Sequence, residues 1–143
     1  MRSSFFEASE SIPLEKEVEI IRTYVDLQKE RVNPLITQVT LSLEGNFSTG
    51  HIIPLLLLPL AENCFKHGVG KKPGKILIFI GFDGKQLLFT TENTIALREK
   101  AFENGGIGIK NVEKRLNLLY PNRHSLHFEE KGGIYKVEMK VDL

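Results

Sequence analysis

The sequence holds one cysteine, Cys64, so it has no partner for an internal disulfide and no CxxC pair for a metal. A lone thiol suits a reducing cytoplasm and reads as core filling rather than as a reactive group. Charge of either sign is not in surplus. The formal net charge is +1 with 26% charged residues, so no global field draws in nucleic acid or an anionic membrane, and any anion binding must be local. The one apolar run, Ile52 to Ala61, is interrupted by Pro54 and Pro59 and is about half the length of a membrane span. No signal peptide, internal repeat or low-complexity tract is visible. With 143 residues, 41% of them hydrophobic, the chain fits one globular domain able to bury about two-thirds of its unfolded surface.

Period and punctuation place the elements. Pro13, Glu15 and Glu17 open a helix whose apolar stripe is Leu14, Val18, Ile21 and Val25. A second set, Ile20, Tyr24 and Leu27, widens that face, as though a further helix packed there or as plain core packing. After Pro34, Val39, Leu41 and Leu43 alternate with polar residues and predict a half-buried strand ending at Gly45 and Asn46. A helix is expected after Pro54, with Leu57, Leu60, Ala61 and Cys64 inward, a kink at Pro59, and Gly68 as a left-handed stop. Asp83 and Gly84 predict a hairpin over residues 76–91. Residues 92–105 carry no period and suit a loop or lid. A third helix follows, with Ile109, Val112, Leu116 and Leu119 inward and Pro121 closing it. A last hairpin places Leu126, Phe128, Tyr135, Val137, Met139 and Val141 inward. Together these elements predict an α/β fold, a two-layer sandwich with helices on one face of a mixed, mainly antiparallel sheet.

Two segments carry candidate chemistry. In PLAENCFKHG, Asn63 and His67 stand one helical turn apart, as do Glu62 and Lys66. The set reads either as an exposed face with an ordinary Glu62–Lys66 pair or as a site. An amide oxygen suits magnesium, and Lys66 and His67 suit phosphate oxygens. In GGIGIKN, closely spaced glycines run into a helix. That segment is either a capping turn or a phosphate-binding backbone, since a helix start offers unpaired N–H groups and partial positive charge. It is not a Walker A loop, and the polar stretch before it excludes a Rossmann turn.

In this order, LLLLPLAENCFKHG followed by GGIGIKNVEKRLNLLYP resembles the ATP-binding domain of LytS-like sensor histidine kinases. That domain belongs to the HATPase (GHKL) superfamily shared with gyrase-type ATPases. SIPLEKEVEIIRTYVDLQKER resembles the helix preceding the domain in that group. The likeness covers nearly the whole chain. It implies a Bergerat-type histidine kinase ATPase fold, with residues 34–143 as the ATP-binding catalytic domain and residues 1–33 as the tail of the dimerisation and phosphoacceptor region.

By that resemblance Asn63 holds the magnesium that bridges the ATP phosphates, with Glu62, Lys66 and His67 on the same helix. Asn93 stands where the superfamily usually has an aspartate bonded to the adenine amine. Gly106 and Gly108 let the lid reach the phosphates, with Ile107, Ile109 and Lys110 around them, and residues 92–105 form the lid. KGGIYKV is either a further glycine turn or an ordinary hairpin. Gyrase-type ATPases place a water-activating glutamate one turn before the magnesium asparagine, where this chain has Pro59. Glu62 is rotated about 100° from Asn63 and substitutes poorly. The implied reaction is therefore phosphoryl transfer from ATP with Mg2+ to a histidine on an upstream helix missing from this chain, and thence to a response regulator. His51, His67, His124 and His127 do not replace that histidine. The implied parent is a homodimer with a cytoplasmic kinase domain and a membrane anchor, without nucleic-acid binding. On this expectation the stripe Leu14, Val18, Ile21 and Val25 belongs to a helical bundle and is partly exposed or self-paired here. The rival expectations are a degenerate nucleotide-binding module without catalysis and a gyrase-type ATPase.

Overall fold

The computed structural model describes residues 11–95 and 106–143. Its sheet is built around the hairpin that Asp83 turns. Asp83 Oδ1 accepts the N–H groups of Lys85 (2.9 Å) and Gln86 (2.7 Å), and Gly84 takes φ +100°. The elements run β1 (Ile12–Pro13), α1 (Leu14–Arg31), β2 (Thr37–Gly45), β3 (His51–Ile52), α2 (Leu58–Gly68), β4 (Gly74–Phe82), β5 (Gln86–Thr94), α3 (Gly106–Leu119), β6 (His124–Lys131) and β7 (Ile134–Asp142). Five strands form the main sheet in the order β2-β4-β5-β7-β6. Only the β2–β4 pair is parallel, Leu41 lying opposite Ile78; its connection carries α2, as a parallel pair needs a crossover. β1 and β3 form a separate two-residue ladder.

The buried face of the sheet carries Ile76, Ile78 and Ile80 from β4, Leu87 and Phe89 from β5, and Tyr135, Val137, Met139 and Val141 from β7. α1, α2 and α3 cover that face and share one core with it. This is the expected two-layer α/β sandwich. The last hairpin closes through Gly132 and Gly133 at φ +60° and +78°, the pair of left-handed residues that a two-residue turn needs.

Four local expectations are corrected. The helix does not begin directly after Pro54. Residues 54–57 form a turn and α2 starts at Leu58, so Pro59 sits in the first turn, where its missing N–H interrupts no helical bond, and produces no kink. Gly68 is not left-handed. A Cβ there would lie 2.9 Å from Asn93 Cβ and 3.0 Å from Ile76 Cγ1, so glycine is needed for close approach of α2 to β4 and β5. β5 continues through Thr94 and takes in the first residues assigned to the loop; the rest of the expected lid, residues 96–105, lies outside the described residues.

The fourth concerns α1. Leu14, Val18, Ile21 and Val25 are 0–4% exposed and lie in the domain core, so that stripe is not open to a bundle. The second set is the open one. Ile20, Tyr24 and Leu27 line, with Ile12 and Leu58, a groove of about 730 Å³, and Leu27 is 55% exposed.

Candidate functional site

α2 divides its polar residues between two sides. Leu57, Leu60, Ala61, Cys64 and Phe65 are buried, and the helix packs on β5, β4 and α3. Glu62 and Lys66, one turn apart, are exposed; Asn63 is half-buried, and His67 is buried in line with it. The four groups therefore do not share one face. The Tyr24 phenol is pushed up to about 12, first by burial and then by the charge of Glu62, which places that carboxylate on the α1 side of α2. Asn63 and His67 turn inward instead. Cys64 packs its thiol on the Glu92 carbonyl (3.9 Å), and burial pushes that thiol up; it fills the core, as expected.

β5 brings the second group. Leu87, Phe89, Thr91 and Asn93 alternate onto its buried face, so the apolar pattern gives way to polar residues at the strand end beside Gly68. Asn93 is 1% exposed. Its Nδ2 donates to the Thr94 carbonyl at 3.0 Å, which fixes the amide orientation and leaves Oδ1 as a buried acceptor without a hydrogen-bond partner among the described residues. Such an atom is costly unless a donor arrives. Thr94 Oγ1 accepts the Lys75 N–H at 3.0 Å, and Ile95 N–H donates to the Gly133 carbonyl at 2.9 Å, so the KGG turn anchors the chain leaving β5.

A cleft of about 490 Å³ opens at the end of β5, lined by Gly68, Gly70, Lys71, Lys72, Pro73, Thr94 and Ile95; Asn93 is not part of its lining. Lys71 and Lys72 were not among the residues expected from sequence. Their signal was the GKKPGK run that follows α2 directly, a local cationic loop in a chain with no overall surplus.

α3 supplies the third group. It opens at Gly106, and Gly108 is exposed, with a Cβ there 4.0 Å from Pro59 Cβ. The glycine-opened helix start thus lies against the first turn of α2. Lys110 is exposed, whereas Ile109 is 1% exposed and belongs to the core, so only its backbone can serve a ligand. Ile107 begins the same helix. Asn63, Asn93 and Gly108 therefore come from three elements that pack together: α2 on β5, and α2 on α3. Among the described residues no group of three or more His, Cys, Asp or Glu could hold a metal. A cation here would depend on an amide and on the oxygens of its ligand, a setting that suits magnesium carried by phosphates.

No protein-family model matches the chain. It is 26% identical over 117 residues to the sensor histidine kinase BtsS of Escherichia coli, covering 80% of this chain and 21% of that protein. It is 27% identical over 140 residues to an uncharacterized sensor-like histidine kinase of Staphylococcus epidermidis, covering 89% of this chain and 27% of the other. The chain thus spans about a quarter or less of the length of these curated relatives. Among solved structures, the catalytic domain of histidine kinase ThkA superimposes with a TM-score of 0.65 at 12% identity, covering 92% of this chain and 94% of that one. The histidine kinase AdeS of Acinetobacter baumannii gives 0.62 at 13%, covering 93% and 66%. In sequence this chain is similar to part of sensor histidine kinases, and in fold to the catalytic domain of such a kinase.

Proposed function

We propose that the chain binds ATP with magnesium between α2, the end of β5 and the start of α3, and serves as the catalytic ATP-binding region of a sensor histidine kinase. The observation that carries this reading is the buried Asn93 Oδ1, which has no hydrogen-bond partner among the described residues and lies on the strand end whose next residues, Thr94 and Ile95, line the 490 Å³ cleft. An adenine amine is the donor that this acceptor lacks. Guanine presents an oxygen in that place and does not complement it.

Asn93 would hold the base, with Lys71 and Lys72 giving positive charge at the cleft. Asn63 would turn its amide oxygen to the magnesium, with His67 one turn further along the same side of α2; Lys66 lies on the other, exposed side and is not placed to assist it. Gly106 and Gly108, with Ile107, the Ile109 backbone and Lys110, would let the start of α3 approach the phosphates, where unpaired N–H groups favour anions. Bound magnesium would neutralise phosphate charge during transfer. Pro59 provides no base one turn before Asn63, so nothing at that position activates water, and a gyrase-type hydrolysis is not favoured. Glu62, exposed on the α1 side, is the carboxylate available to an acceptor group approaching from outside.

The acceptor is a histidine beyond the described fold. His67 is buried, His51 lies on the two-residue strand β3, and His124 and His127 belong to β6. Residues 1–33 then serve as the tail of the dimerisation region, and the open Ile20–Tyr24–Leu27 face of α1 suits pairing in a homodimer. A response regulator as final acceptor is supported by the related kinase ThkA, solved in complex with the response regulator TrrA and superimposing with a TM-score of 0.63 at 10% identity. Among the described residues no helix is long and apolar enough to cross a membrane; a membrane anchor would lie elsewhere in a parent protein.

Calorimetry of the chain with ATP, with and without magnesium, tests the reading. Heat of binding that needs magnesium, with no incorporation of γ-phosphate into the chain itself, is expected. Absence of binding at millimolar ATP would contradict the site, and stable self-labelling on a histidine would contradict the assignment of the acceptor.

A further inference from the structure

Residues 54–57, immediately ahead of α2, are gripped from two sides. From α1, the Glu17 carboxylate accepts three successive backbone N–H groups: Leu55 on Oε1 at 3.1 Å, and Leu56 and Leu57 on Oε2 at 3.0 and 3.2 Å. It is 1% exposed, a charge buried within the apolar stripe of its own helix. From α3, the Arg115 fork donates to the Pro54 carbonyl (2.7 Å) and the Leu55 carbonyl (2.9 Å). Leu55 between them has φ +60°. A branched residue rarely adopts this left-handed conformation unless its surroundings impose it. Its side chain is 50% exposed, so packing does not hold it there; both of its backbone polar groups are held by ionised side chains.

Arg115 lies seven residues after Gly108, which is two helical turns and nearly the same face. α3 therefore meets the entry of α2 twice: Gly108 faces Pro59, and Arg115 holds Pro54 and Leu55. α1 reaches three of the same four residues, Leu55, Leu56 and Leu57, through Glu17. If Leu55 relaxed to a negative φ, the first turn of α2 would swing relative to both helices, carrying Asn63 away from the start of α3.

We propose that Glu17 and Arg115 are positioning residues for the nucleotide site, jointly holding Leu55 left-handed and so coupling the placement of α1 to the spacing between α2 and α3. This rests on the nucleotide reading above, and its test separates the two. In the full 143-residue chain, Glu17→Gln keeps the size of the side chain but places an amide donor among backbone donors, and Arg115→Met keeps the stem without the fork. Each should weaken magnesium-ATP affinity by roughly tenfold, within the range of couplings carried by side chains between sites. Each should also speed hydrogen exchange of the α3 amides from Lys110 to Glu113 in nucleotide-free protein. Asp26→Asn, on the exposed side of α1, should do neither.

The decisive variant is Leu55→Gly, because glycine adopts positive φ without strain. Added to Glu17→Gln or Arg115→Met, it should recover most of the lost affinity, which a general loss of packing would not allow. Variants that bind like the parent, or a Leu55→Gly that recovers nothing, overturn the proposal. If the parent chain binds no ATP, the nucleotide reading fails alone and exchange decides: faster exchange in both variants supports the coupling, and unchanged exchange overturns it. Should Glu17→Gln fail to fold, Arg115→Lys, able to keep one of the two carbonyl contacts, carries the test with an expected loss of about threefold.

Discussion

Gly68→Ala sets two effects of known sign against each other. Gly68 lies at the end of α2 with no positive φ, so helix propensity alone favours alanine, by about 0.5–1 kcal/mol in a helix interior and less at a last residue. Against this, the new methyl would lie 2.9 Å from Asn93 Cβ and 3.0 and 3.2 Å from Ile76 Cγ1 and Cδ1. Asn93 Cβ is fixed by its bond to the backbone and the Ile76 side chain is fully buried, so neither can readily swing aside; β4, β5 or the end of α2 must move. Overpacking of this kind costs about 1–3 kcal/mol. The clash should win, leaving a net loss of about 1–2 kcal/mol, or about 3–6 °C in melting temperature for a domain of this size. Asn93 is the residue pushed, so ATP affinity should fall further than stability does. Differential scanning calorimetry checks the first part and an ATP titration below the melting range checks the second. A melting temperature equal to or above the parent's would refute the claim that close approach, rather than helix termination, is why glycine stands there.

Asn63→Ala should remove the magnesium-dependent part of ATP affinity, a loss on the order of tenfold to a hundredfold for a contact to a charged group, while leaving metal-free binding unchanged in the same calorimetry. Asn93→Leu should reduce the preference for ATP over GTP by about two- to tenfold, since the lost acceptor serves adenine alone; competition between the two nucleotides measures it. Stability should also depend on alkaline pH. Burial is the first cause that pushes the phenols of Tyr24 and Tyr135 from an ordinary 10.0 up to about 12, helped by Glu62 and Glu130 respectively. The unfolded chain releases those protons first, so this stability is complete below pH 10 and is lost as pH rises toward 12. Urea midpoints between pH 9 and 11.5 should fall, and less steeply in Tyr24→Phe.

Much of the fold was legible because local chemistry and burial agree. Asp83 and Gly84 turn the hairpin they predict, and the stripes Leu57, Leu60, Ala61, Cys64 and Ile109, Val112, Leu116 are the buried faces of α2 and α3. The resemblance put Asn93 in an acidic residue's place, but its burial and an Oδ1 without a partner among the described residues were not legible, since they depend on the Thr94 carbonyl and on enclosure by α2. What the sequence concealed is held by long-range contacts. Glu17 looked like a first-turn acid favouring the helix dipole, yet it bonds N–H groups 38 to 40 residues away. Arg115 reaches carbonyls 60 and 61 residues earlier. The two apolar sets on α1 could not be told apart by period alone, because which one faces the core depends on where α2 and the β1–β3 ladder sit. The parallel pairing of β2 with β4 is likewise a property of the crossover rather than of either strand.

The central claim, that magnesium-ATP occupies the space between α2, the end of β5 and the start of α3, is tested most directly by titrating isotope-labelled protein with ATP and following backbone amide signals. The largest shifts should fall on Asn63, Gly68, Asn93, Thr94 and Gly108 and should require magnesium at Asn63. Silence at those positions, or shifts gathered instead around Ile20, Tyr24 and Leu27 on α1, would contradict it.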